Sequence, residues 1–141
     1  MGVIDIKSIV LWCTGGILYY YMEILFRGYS HISMIICGGV CFLLVGNMGQ
    51  MIINHNGSNI KTILTIMICG TFIITSAEFV TGLIVNIYMG MDVWDYSEMR
   101  YNLMGQICPF FSLLWSFVSL PCVYLSGIIR KYIFEESVES A

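Results

Sequence analysis

Four apolar runs, each about as long as a bilayer core is thick and each parted from the next by polar residues, constrain this chain more than any other feature. They extend from Ile9 to Phe26, Ile32 to Ile53, Lys61 to Tyr88 and Gly105 to Ile129. Backbone groups in lipid must find partners within the chain, so each run is expected to be a helix. Composition argues against a soluble fold. Of 141 residues, 58% are hydrophobic and 11% charged, and the mean hydropathy is +0.84. In water, leaving so much apolar surface exposed would cost roughly 25 cal/mol per Å². The sequence therefore reads as all-α: one polytopic domain over residues 1–141, a four-transmembrane-helix bundle with a polar tail from Arg130 to Ala141.

Details within the runs sharpen this reading. The first has one ionisable residue, Glu23, with only Lys7 in front and no small-residue cleavage site behind, so it reads as a retained helix and not a signal peptide. Tyr19, Tyr20 and Tyr21, then Arg27 and Tyr29, suit its interfacial end. Gly15 and Gly16 there, and Gly38, Gly39, Gly46 and Gly49 in the second run, predict close helix packing. The Asn54 to Asn59 stretch, NHNGSN, marks a tight exposed turn. The third run is longer than a bilayer core demands and must tilt or protrude. In the fourth, Ser112, Ser116, Ser119 and Ser126 share one helical face and should point into the bundle. Pro109 fits a first turn, whereas Pro121 sits mid-span and predicts a kink.

An even number of spans puts both termini on one side. Lys7, Lys61, Arg130 and Lys131 lie with them, and Arg27 and Arg100 lie opposite. The positive-inside rule then favours cytoplasmic termini in an inner or plasma membrane. A net charge of -3 with six scattered basic residues sets nucleic acid aside as a partner.

The chemistry is concentrated between Ser76 and Gly105. Glu78 lies deep in an apolar run, where a carboxylate costs several kcal/mol unless it is protonated, paired or hydrated. Two readings stand side by side: an ion-coupled or cation-contacting site, or an acid locked to a partner such as Arg100. Glu23 is expected near the same membrane face, so both acids could meet Arg100 in one cluster. Asp95 with Glu98 resembles a helix-start pair, predicting a short interfacial helix or ordered loop between helices three and four. Trp94, Tyr96 and Tyr101 match an aromatic belt. The candidate binding or structural cluster is thus Glu23, Glu78, Trp94, Asp95, Tyr96, Arg100 and Asn102.

No metal site or cofactor is expected. Asp92, Asp95 and Glu98 lack a calcium-loop spacing, and the six cysteines lie in apolar runs without a C-x-x-C pair. Nor is an enzyme expected, since G-x-S-x-G, H-E-x-x-H and Walker A patterns are missing. Energy for transport would come from a separate ATPase or an ion gradient.

The elements Tyr21-Met22-Glu23-Ile24-Leu25-Phe26, Ala77-Glu78-Phe79-Val80-Thr81-Gly82, Val93-Trp94-Asp95-Tyr96-Ser97 and Tyr101-Asn102-Leu103-Met104-Gly105 together resemble a bacterial family labelled putative ABC-transporter type IV permease. They are also similar to small eukaryotic transmembrane proteins. The resemblance implies a bacterial inner-membrane protein in which Glu23, Glu78, Trp94, Asp95, Tyr96, Asn102 and Gly105 belong to the shared pattern. In helix two the chain departs from that family's Pro-Ile-Tyr-Gly-like element: Met34-Ile35-Ile36-Cys37-Gly38 keeps only the glycine. The leading expectation is a permease-like transport component that meets membrane lipids and assembles with its own copies or another membrane subunit. A non-transporting lipid-binding or scaffold protein is the alternative, and a small lipid-acting enzyme a third.

Overall fold

The computed structural model describes residues 5–136. It contains helices α1 (Ile6–Arg27), α2 (Ile32–Asn56), α3 (Ile60–Gly82) and α4 (Pro109–Ile133), with α3 continuing into a π-helical turn, Leu83–Tyr88. All four are long and apolar enough to cross a membrane, the third when its π turn is counted with it. Local chemistry sets their ends. The Asp5 side chain accepts from the Lys7 backbone N–H to start α1, and Gly28 at φ +78° stops it. The NHNGSN turn serves two helices: Gly57, at φ +70°, closes α2, and the Asn59 side chain accepts from the Thr62 N–H at 3.0 Å to open α3.

Small residues then let the helices approach closely. A Cβ added to Gly15 would lie 2.1 Å from Phe42 Cβ, and one on Gly39 would lie 2.6 Å from the Trp12 carbonyl oxygen. Side chains larger than hydrogen there would force α1 and α2 apart. The serine face meets glycines in the same way. Ser119 and Ser126 are fully buried, Ser119 fitting against Gly70 of α3 and Ser126 against Gly46 of α2. Ser112 accepts a hydrogen bond from Thr75 at 3.1 Å, whereas Ser116 turns back to the Leu113 carbonyl. Helix α2 touches all three others, while α1 lies along α2 and touches α4 little.

Several boundaries differ from the sequence reading. α1 begins at Ile6 and α2 reaches Asn56, each adding a capped turn to its apolar run. α4 starts at Pro109 and not at Gly105, because Tyr101, Met104 and Gly105 all have positive φ and belong to the preceding loop. It runs past Ile129 to Ile133, so the first residues assigned to the polar tail are helical, and Pro121 lies inside it without ending it. Residues 134–136 of that tail are non-helical, and residues 137–141 lie outside the described residues. Between Met89 and Cys108 there is no helix, so the short interfacial helix gives way to an ordered loop. Asp95 folds its carboxylate back onto Ser97 and starts a turn instead.

Candidate functional site

Glu78 is carried by the inner face of α3 and is only 5% exposed. Its Oε2 accepts from Trp115 Nε1 of α4 at 3.0 Å, and its Oε1 accepts from the Tyr96 hydroxyl at 2.9 Å. Both donors are neutral, and among the described residues no cation forms an ion pair with Glu78. The donors are themselves held. Tyr96 stacks on Phe111 with ring centroids 4.6 Å apart and planes 11° from parallel, and Trp115 packs against Tyr19 at 6.0 Å. Burial, followed by the charge of Glu78, pushes the Tyr96 phenol well above the ordinary tyrosine range, so it stays a donor.

Tyr96 reaches Glu78 because the loop dips into the end of the bundle. Val93 and Trp94 are buried there against Met34 of α2 and Val85 of the π turn. The centre of this plug is Asn86, which the π turn carries and which is 7% exposed. Its Oδ1 accepts from the Val93 N–H at 2.7 Å, and its Nδ2 donates to the Trp94 carbonyl at 3.0 Å and to Gln106 Oε1 at 2.8 Å. Gly82 makes room for Gln106, since a Cβ there would sit 2.4 Å from Gln106 Oε1. Trp94 Nε1 donates to the Gln106 carbonyl at 3.0 Å. A π turn displaces the helical register, and here that displacement points a buried amide at the loop.

The residues expected to cluster therefore separate into three groups. Glu78 and Tyr96 meet. Glu23 makes no hydrogen bond to either of them and accepts from Arg27 at 2.9 Å and from the Ser30 hydroxyl at 3.0 Å. Arg27 also donates to the Val93 carbonyl at 3.1 Å and covers the Tyr29 ring, so it ties the α1–α2 turn to the loop. Asp95 and Asn102 shape the loop tip: Asn102 donates to the Ser97 and Met99 carbonyls and accepts from the Gly105 N–H at 2.9 Å. Arg100 is exposed and, among the described residues, makes no ion pair, so the single cluster around it does not form. Trp94 is buried and Tyr96 points inward, which leaves Tyr101, 88% exposed, as the loop aromatic placed for a belt.

Sequence reasoning missed Trp115, Asn86 and Gln106. A signal was available for the first: an indole N–H in mid-membrane needs an acceptor, and Glu78 was the obvious one. Asn86 closes the third apolar run and carried a weaker form of the same signal.

Beside Glu78 an apolar cavity of about 200 Å³ opens between α1 and α4, floored by α2. Tyr19, Cys37, Phe42, Trp115 and Cys122 line it, and Glu78 is the one acidic residue among its lining residues. Among the described residues no three His, Cys, Asp or Glu side chains converge as metal ligands would.

Together these features define a class: a polytopic four-helix membrane protein whose inner carboxylate is roofed by an ordered loop. The chain belongs to the family described as Putative ABC-transporter type IV, whose model matches residues 10–139. No curated protein and no solved structure matches it.

Proposed function

We propose that this chain is a permease-like component of a membrane transport system and that Glu78 is its substrate-contacting group. The supporting observation is that Glu78 is buried, held only by neutral donors, and forms part of the wall of an apolar cavity that opens between helices. A carboxylate in such a place costs several kcal/mol. An apolar side chain would fill the same space more stably if packing were its sole role. Glu23, Trp94, Asp95 and Asn102 serve as framework in this reading. Arg100 lies free at the surface for a partner or a headgroup.

One copy has four spans and little room for a continuous pathway, so transport requires further copies or another membrane subunit. No nucleotide-binding motif is present in the sequence, so ATP would be hydrolysed by a separate subunit on the side of the termini; the excess of Lys and Arg on that side supports its being the cytoplasmic one.

Two measurements test the reading. Native mass spectrometry of the chain extracted from its own membrane is expected to show a stable membrane oligomer or a complex with an ATP-binding subunit. Vesicles containing that complex and a pH-sensitive dye are expected to show flux that Glu78→Gln abolishes. A strictly monomeric species with no flux would overturn the proposal. The lipid-binding alternative draws on a wider groove of about 560 Å³ between α3 and α4, lined by Ile66, Val123, Tyr124 and, in the last turn of α4, Lys131. Tightly co-purifying lipid without flux would favour it.

A further inference from the structure

We infer that the cavity beside Glu78 binds a lipophilic ammonium, an organic cation whose charged head meets the carboxylate and whose apolar body fills the space between α1 and α4. This deepens the transport reading and shares its site. Three observations carry it. First, Glu78 receives one donor on each oxygen, both neutral, and among the described residues no cation is paired with it. A carboxylate has about four acceptor positions, so two remain for the N–H groups of a ligand. Second, the remaining wall is apolar and aromatic, with Tyr19, Phe42 and Trp115 on three different helices. Such rings attract a cation through their faces and accept hydrocarbon equally well. Third, the size is right for a small body. An apolar cavity of about 150 Å³ admits benzene, and this one is about 200 Å³. One aryl ring with a short ammonium arm fits, and a longer alkyl tail would leave through the gap between α1 and α4 into lipid.

An anionic ligand is disfavoured by the same geometry, because it would face Glu78 with no cation in between. A neutral ligand would fill the apolar part but leave the carboxylate uncompensated. Charge complementarity therefore selects the ammonium.

The experiment uses the full chain in phosphatidylcholine nanodiscs and isothermal titration with two probes of nearly the same shape, phenethylammonium and the uncharged 2-phenylethanol, with empty discs subtracted. The expected result is saturable binding of one cation per chain, tighter than the alcohol by about tenfold or more. Glu78→Gln is expected to remove that preference while changing alcohol affinity by no more than about twofold. Equal affinity of the wild-type chain for the two probes, or no binding of the cation, overturns the inference without any variant. So does a cation preference that survives in a folded Glu78→Gln. Cation binding without flux would uphold the ligand class and sink transport, whereas flux without cation binding would do the reverse.

Discussion

Glu78 shows how an acidic group is kept inside a membrane protein without a counter-charge paired to it. Hydrogen bonds to a carboxylate contribute about 1.5–3 kcal/mol each, more than bonds between neutral groups. Trp115 and Tyr96 supply two of them. Replacing Trp115 with Phe keeps most of the packing against Tyr19 but leaves Oε2 without its donor. The expected loss of stability is about 2 kcal/mol, read as a lower midpoint of thermal unfolding in detergent. Tyr96→Phe should cost less, because Tyr96 lies in a half-buried loop position and water can replace its hydroxyl. An unchanged midpoint in Trp115→Phe would mean that the indole does not support Glu78. From the sequence, Arg100 looked like the natural answer to Glu78 because charges are easy to see there. The actual donors are aromatic side chains whose polar atoms are easily overlooked.

At the level of elements, the helices were legible and the loop's interior was not. Apolar runs declare spans because lipid requires length and internal hydrogen bonding, which are local properties. The glycines that interlock α1 and α2, and the serine face of α4, were legible for the same reason: periodicity places them on a helix side. The loop is different. Its order comes from contacts between residues far apart in the chain, such as Asn86 with Gln106 and Arg27 with the Val93 carbonyl, and no local pattern announces them. Asn86 is the fastening point, since a single amide satisfies a backbone N–H, a backbone carbonyl and a side-chain oxygen. Asn86→Ala leaves those groups buried without partners, at about 1–3 kcal/mol for each. Hydrogen exchange in that variant is expected to rise across residues 89–108 and to stay slow in α1 and α2. A uniform rise through all four helices would instead make Asn86 a determinant of the whole bundle and not of the roof.

Across the whole molecule, the two ends of the bundle are built differently. At the end with Glu78's roof, neutral and aromatic groups close the bundle and one ion pair, Glu23–Arg27, fastens the loop from the side, whereas the opposite end is tied by charge. There Lys7, from the first turn of α1, donates to Glu136 beyond α4, and Arg130 bonds to Asn47 of α2 while its Nη1 lies 3.6 Å from Glu136. The first turn of α1 and the residues just after α4 therefore lie at one face, as an even number of spans requires. The hydrogen bond from Lys7, then the positive charge of Lys7 and Arg130, hold the Glu136 carboxyl below its ordinary value. A carboxyl lowered in the folded state stabilises at pH above the unfolded value, about 4.3 for Glu, and that contribution disappears as pH falls through the lower folded value. The Glu136 side chain is 39% exposed, so solvent screening limits the effect to under about 1 kcal/mol. The wild-type chain should thus lose a small increment of thermal stability between about pH 5 and pH 3 that Glu136→Gln lacks, with the difference shrinking in high salt. Parallel acid limbs for the two proteins would mean that the charges at this end contribute nothing, and that helix packing alone holds the first turn of α1 beside the end of α4.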